Sequence, residues 1–200
     1  MMVEVENNLK KPGPVFNAML REAYFAGADY YYRLNDDSEL QKADYGGVGV
    51  SWPKTFMGAL HKMGPPYGVV GPFGGLDRIL THDFVHRTHM EIFEQVYYPA
   101  LLVDWYMDDW VSQVYGKDRS IKATRYNVEH HTYHHGQRYK VDRSNERHLK
   151  PEIKEGRAKI SAYTRDVLGL TDAAAKIDQS TNPPPFLDMP CDDWTGLKCR

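Results

Sequence analysis

The sequence predicts an α/β domain built on a mixed sheet, and three observations carry that prediction. Short apolar runs such as Tyr30-Tyr31-Tyr32 and Val69-Val70 alternate with stretches of helical spacing. Glycine and proline punctuate the boundaries between them. The chain has 200 residues, is 42% hydrophobic and 26% charged, and so suits one domain with its own core.

Residues 1–13 read as a flexible lead-in. Pro14 suits a first helical turn, Phe16, Met19, Leu20 and Ala23 follow helical spacing, and Gly27 is a C-terminal stop. Residues 28–34, ADYYYRL, read as an aromatic strand that runs straight into Asn35-Asp36-Asp37-Ser38. After a loop containing Gly46-Gly47 a second helix is expected over about 53–63, with Trp52, Phe56, Leu60 and Met63 on one face and Gly64-Pro65-Pro66 as its breaker. Residues 67–71 give a short strand, followed by the glycine-rich PFGGLD loop. Residues 81–87, THDFVHR, give another strand, and residues 88–96 a helix with Met90 and Phe93 on one side. Asp108-Asp109 opens a further helical stretch that Gly116 closes. A strand is expected within 121–131 and a last helix over about 151–168. The domain then spans 14–170, and residues 171–200, with Pro183-Pro184-Pro185, read as a tail.

The bulk numbers exclude several classes. A net charge of -2 gives no evident nucleic-acid patch and no anionic-membrane preference. Cys191 and Cys199 form no disulfide framework and no zinc-type cluster. No apolar run reaches membrane-spanning length, and the polar start MMVEVENNLKKPGP shows no signal peptide, which favours a cytoplasmic or nuclear location.

Three groups of residues could carry chemistry. Asn35-Asp36-Asp37 closes an apolar strand, where ligands of open α/β sheets bind, and adjacent acids there can hold a hard cation that offsets a diphosphate. The competing reading is an acidic turn. Asp108-Asp109 could supply a general base for an acceptor hydroxyl, or could serve only as first-turn acids favoured by the helix dipole. His130, His131, His134 and His135 crowd six positions, but no HExxH or CxxC accompanies them, so a solvated cluster competes with a metal site. His82, His86 and His89 form a looser second group.

Taken in order, these elements resemble the GT-A glycosyltransferases. In that family a helix and strand lead to a DxD-type metal motif. A glycine-containing loop and strand come next, then an xED-type motif that opens a helix and supplies the base, and then a histidine that completes the metal shell. The matching stretches are ADYYYRLNDD, the run from GVVGP to THDFVHRTHMEIF, Met107-Asp108-Asp109-Trp110, and VEHH, over about residues 14–140. Asn35 stands where many members have the first acid, and Asp108 replaces the usual Glu before the base. A looser likeness extends to the glycosyltransferase-like region of large eukaryotic proteins that include an estrogen-responsive growth regulator.

The resemblance implies a GT-A-like mixed sheet flanked by helices, incomplete at its N-terminus. Family members carry roughly a hundred residues of nucleotide-binding βαβ structure before the acidic strand, and 34 residues precede Asn35 here. A partner or a missing segment would supply that half. The implied reaction moves a sugar from a nucleoside diphosphate sugar to an acceptor hydroxyl on a protein, glycan or other molecule. Asp37, Asp36, His130 and His131 would hold Mn²⁺ or Mg²⁺, and Asn35 and Asp36 would contact the ribose or a metal-bound water. His86 and Arg87 would line the acceptor side or the diphosphate, and Asp109, seconded by Asp108, would be the base. Asp36-Asp37 is then expected at the carboxyl end of a central strand, in a cleft shared with Asp109 and His130 or His131. The alternatives are a non-catalytic binding or scaffold protein on the same fold, and a metal-dependent hydrolase.

Overall fold

The computed structural model describes residues 4–42, 51–64, 67–74, 79–131, 142–178 and 187–188. Six helices and six strands follow in order: α1 (Pro12–Phe25), β1 (Tyr30–Arg33), β2 (Ser38–Lys42), α2 (Trp52–Met63), β3 (Val69–Phe73), β4 (Asp83–His86), α3 (Thr88–Ile92), α4 (Met107–Val114), β5 (Ser120–His130), α5 (Glu146–Asp166), α6 (Thr171–Asp178) and β6 (Leu187–Asp188). The strands form one mixed sheet in the order β1-β4-β3-β5-β2, with β6 beside the start of β5. Only β3–β5 and β5–β6 run parallel.

The path cannot be flat. β1 and β2 stand at its two ends, yet only residues 34–37 join them. Five strands side by side span about 19 Å. The connection, fully extended, reaches about 17 Å. It is also not extended, because Ser38 N donates to Asn35 O at 3.3 Å. The sheet therefore curls, and its two edges approach at the end where residues 34–37 turn. A direct contact records the closure: His82, just before β4, lies 3.1 Å by Nε2 from Ser38 Oγ at the start of β2.

Alternation along the strands divides the core between the two faces of the sheet. Tyr32, Phe84, Val70, Ile121, Ala123 and Tyr126 face α2, which buries Phe56, Ala59 and Leu60 among them. Tyr31, Val85 and Val69 face the other way, into a second cluster with Trp110, Val111 and Val114 of α4 and Ile153 and Ile160 of α5. α5 approaches α4 at Gly156, where a Cβ would stand 2.5 Å from Val114 Cγ2.

Several expectations need correction. β1 is the edge strand of the path and not a central one. β2 was not foreseen, since SELQK has none of the β-rich pattern that marked its neighbours. The helix expected over 88–96 stops at Ile92, because Glu94 and Gln95 take positive φ of 57° and 63°. The helix expected over 151–168 starts at Glu146, with Pro151 inside it. The lead-in is tied down from Lys11, whose Nζ reaches Asp104 at 2.6 Å, and by Gly13 N on Val103 O at 2.9 Å. The supposed tail begins with α6, which buries Ala174 and Ile177. The Gly46-Gly47 loop, the second half of the PFGGLD loop, His134, His135, Pro183-Pro184-Pro185 and both cysteines lie outside the described residues.

Gly71 tests how closely β3 packs on the segment that leads into β4. A Cβ there would meet the His82 carbonyl oxygen at 2.3 Å and Leu80 Cδ2 at 2.9 Å. Because the nearest atom is backbone, it cannot swing aside, and Gly71→Ala is expected to cost about 1–3 kcal/mol in urea unfolding. A variant as stable as the wild type would show that β3 and the start of β4 part without cost.

Candidate functional site

The carboxyl ends of β1, β3 and β5 lie at one end of the sheet, with the amino ends of β2 and β4. The registers require it: Arg33 lies opposite Asp83, and Ser38 opposite His130. Asn35, Asp36 and Asp37 therefore turn at this end, between the two closing edges. The backbone N of His131 donates to Asp37 O at 2.7 Å, which extends the β2–β5 ladder into the acidic turn. Ser38 Oγ stands among three groups: His82 Nε2 at 3.1 Å, His130 Nδ1 at 3.4 Å and Asp37 Oδ1 at 3.5 Å. The rings of His82 and His130 lie 5.0 Å apart. Asp37 and His130, far apart in sequence, thus meet around one hydroxyl.

A buried ionic network fastens α4 to the same end. Arg33, the last residue of β1, donates through Nε and Nη2 to Asp83 Oδ1 at 3.0 and 2.8 Å, and through Nη2 to Asp108 Oδ1. The hydroxyls of Tyr97 and Tyr98 donate to the two oxygens of Asp83, at 2.5 and 2.7 Å. Asp83 is fully buried and Arg33 nearly so, whereas the Asp108 side chain keeps 34% of its surface. Burial pushes the Asp108 carboxyl up to about 6, and the Arg33 guanidinium offsets this only in part. Neither Asp108 nor Asp109 caps the helix: the N-cap is Tyr106, at φ 70°, with no side-chain cap bond. Asp109, one residue on, is buried.

Two histidines are held neutral by their surroundings. Burial, then the nearby Arg33 cation, then His130 lower His82 to about 3. Burial likewise lowers His89 to about 4, while its Nε2 meets Tyr97 O at 2.9 Å and its Nδ1 the Tyr115 hydroxyl at 2.7 Å. His89 is a bonded core histidine.

Not every expected residue comes to the site. β4 runs antiparallel to β1, so His86 lies opposite Tyr30, at the far end from the acidic turn. Arg87 sits there too, stacked 4.0 Å over Tyr24 and donating to Tyr24 O and Ala28 O, where it fixes the end of α1. Neither is positioned to line a ligand held at Asp37. His130 and His131 also diverge. His131 Nε2 meets Glu39 Oε2 at 3.2 Å, on the opposite side of β2 from Ser38. There Glu39, Glu129 and His131 bring three metal-type atoms within 4.8 Å of one another, on an exposed surface. A cleft of about 610 Å³ lies beyond the amino end of β5, lined by Lys117, Arg119, Thr171 and Lys176 among others, and contains none of the candidate acids.

Sequence reasoning missed Arg33, Asp83, Ser38, Tyr97 and Tyr98. The available signal was a charged residue within each apolar strand, Arg33 after Tyr30-Tyr31-Tyr32 and Asp83 before Phe84-Val85, which had to be paired if buried. No family model matches this sequence, and no curated protein or solved structure matches it. Among the described residues no helix is long and apolar enough to cross a membrane.

The two neutral histidines set an acid-side stability slope. Their ordinary value of 6.5 holds in the unfolded chain, so below pH 6.5 the unfolded state binds protons that the native state refuses, and stability falls as pH falls toward about 4. Each contributes about 1.4 kcal/mol per pH unit once fully engaged. Asp108 works in the opposite sense between about 6 and its ordinary 3.8, because there the native form holds the extra proton. Urea unfolding between pH 7 and 4.5 should show a net decline, shallower in His89→Gln. A profile that rises as pH falls would mean that these rings protonate freely in the fold and leave only the Asp108 contribution.

Proposed function

We propose that this chain is the metal-binding and acceptor-side half of a GT-A-type glycosyltransferase, which moves a sugar from a nucleoside diphosphate sugar to an acceptor hydroxyl. The observation that supports this reading is the gathering of the acidic turn and the β5 histidine around Ser38 at the carboxyl ends of β1, β3 and β5, with the first turn of α4 bonded to Arg33 at the same end. Ligands of α/β sheets bind at that end.

The groups beside Ser38 are of the kind a divalent cation takes. Asp37 would offer a carboxylate oxygen and His130 its Nε2, since its Nδ1 faces the Ser38 hydroxyl. A mixed oxygen and nitrogen set suits Mn²⁺ better than Mg²⁺. When bound, the cation would offset the charge of the donor diphosphate. Asn35 and Asp36, in the same turn, would meet the ribose or a metal-bound water. His86, Arg87 and His131 have no part in this assignment. A partner or further segment would supply the nucleotide-binding half.

Asp109 takes the acceptor proton if configuration inverts. The acceptor oxygen then bonds to the anomeric carbon as the bond from that carbon to the diphosphate oxygen breaks, and the nucleoside diphosphate leaves with the electron pair. Asp108 Oδ1 accepts from Arg33. Its work is to fix the first turn of α4 on β1, and so to fix Asp109.

Calorimetry with nucleoside diphosphates, with and without Mn²⁺ and chelator, tests the metal site. Binding that depends on Mn²⁺ and disappears in Asp37→Ala is the expected result, while unchanged affinity in that variant would remove Asp37 from the site. Metal-dependent nucleotide binding with neither transfer nor hydrolysis of a nucleotide sugar would favour the scaffold reading.

The base is tested by neighbouring substitutions. In a preparation that transfers sugar with inversion, Asp109→Asn should lower kcat by about 10²–10⁴ with little change in substrate binding. Asp108→Asn should cost activity mainly through stability. A large kcat effect confined to Asp108 would shift the base by one residue.

A further inference from the structure

A serine hydroxyl carries one hydrogen and two lone pairs, and a neutral imidazole carries one N–H and one acceptor nitrogen. Ser38 Oγ has three neighbours that could take its hydrogen, so at most one does. Asp37 Oδ1, at 3.5 Å, is the farthest of the three. Of the two rings, His82 Nε2 is nearer, at 3.1 Å against 3.4 Å for His130 Nδ1. His82 is fully buried, so each of its nitrogens needs a partner from the protein. Its Nδ1 has one in Thr81 Oγ1, at 3.2 Å. Its Nε2 has Ser38.

We propose that Thr81, His82, Ser38 and His130 form a hydrogen-bond relay of fixed polarity, in which Ser38 donates to His82 Nε2 and accepts from His130 Nδ1–H. The ring of His82 then carries its proton on Nδ1 and gives it to Thr81. His130 likewise carries its proton on Nδ1, and its Nε2 keeps a free lone pair. The consequence rests on the metal reading above: an imidazole that ligates through one nitrogen must donate from the other, and the group that receives that bond selects the tautomer. Were the relay reversed, Ser38 would donate to His130 Nδ1, the His130 proton would sit on Nε2, and that nitrogen would be closed to a cation. His82 and Ser38 are therefore positioning residues, and a histidine nearly fifty residues from His130 decides which of its nitrogens can bind.

The test reads tautomers directly in the metal-free protein. With ¹⁵N-labelled histidine at pH 8, two-bond ¹⁵N–¹H correlation spectra report which ring nitrogen of His82 and His130 carries the proton. Both should be Nδ1–H in the wild type. In Ser38→Ala, His130 should shift toward Nε2–H, and Ser38→Thr, which keeps the hydroxyl, should restore the wild-type pattern. His130 protonated on Nε2 in the wild type, a spectrum that needs no variant to fold, would overturn the relay. So would a His130 tautomer that is unchanged in Ser38→Ala.

Mn²⁺ titration followed by electron paramagnetic resonance separates this proposal from the functional one. A weakening of about 10–100-fold in Ser38→Ala is expected for a lost partner of a ligating histidine. Relay tautomers in a chain that binds no Mn²⁺ would sustain the relay and sink the metal site. Mn²⁺ binding lost in Asp37→Ala but untouched in Ser38→Ala would do the reverse.

Discussion

Residues 34–37 impose the constraint on which the rest of the structure depends. They join the two ends of a strand path that is wider than they can span, so the sheet must curl to accommodate them. Once it curls, residues that belong to opposite edges share one space. Ser38 of the last strand in the path reaches His82, which precedes the second, and Asp37 is hydrogen-bonded to the backbone that follows β5. The candidate site is the seam of that closure. Its residues come together because a short acidic turn has no other way to connect its flanking strands.

The seam is held on its other side by charge. Arg33 and Asp83 are both withdrawn from water, which is costly for either alone and is tolerated because each is heavily bonded. Two tyrosine hydroxyls complete the Asp83 carboxylate, and Asp108 brings α4 onto the guanidinium. Such a network contributes little net stability compared with apolar packing of equal volume. What it supplies is direction. An apolar contact would let α4 slide along β1, whereas bonds from one guanidinium to two carboxylates fix the first turn of the helix against the end of the strand. The first acidic motif and the second are thereby locked in register.

Much of this was legible in the sequence, and the parts that were not have physical reasons. α1, β1, α2, β3 and β4 announced themselves through periodicity and punctuation, because each buries a face against its neighbours. β2 did not: Glu39 and Gln41 face outward and only Leu40 packs inward, so its strand character comes from pairing with β5. Reading His130 and His131 as one pair failed because adjacent side chains at a strand end leave on opposite sides. Reading His86 and Arg87 into the site failed because strand direction is a tertiary property. THDFVHR could run either way, and antiparallel pairing with β1 sends its second half to the far end. Arg33 and Ser38 were visible as residues, but their partners from other elements lie 44 to 92 positions away.

Those separations have a consequence for how the chain reaches its native state. Arg33 bonds to Asp83 and Asp108 across 50 and 75 residues, and Ser38 meets His130 across 92. β1 and β2 are neighbours in sequence but do not pair with each other. Each must wait for a strand made much later in synthesis. Topologies dominated by such non-local pairing fold slowly, because the entropy of closing long loops is lost before the contacts that reward it are made. Until β4 arrives, the tyrosine-rich β1 has no strand partner and Arg33 lacks Asp83. An emerging chain therefore carries a sticky, charged strand until residues 83–86 are made, and Asp83, which opens β4, ends this exposure.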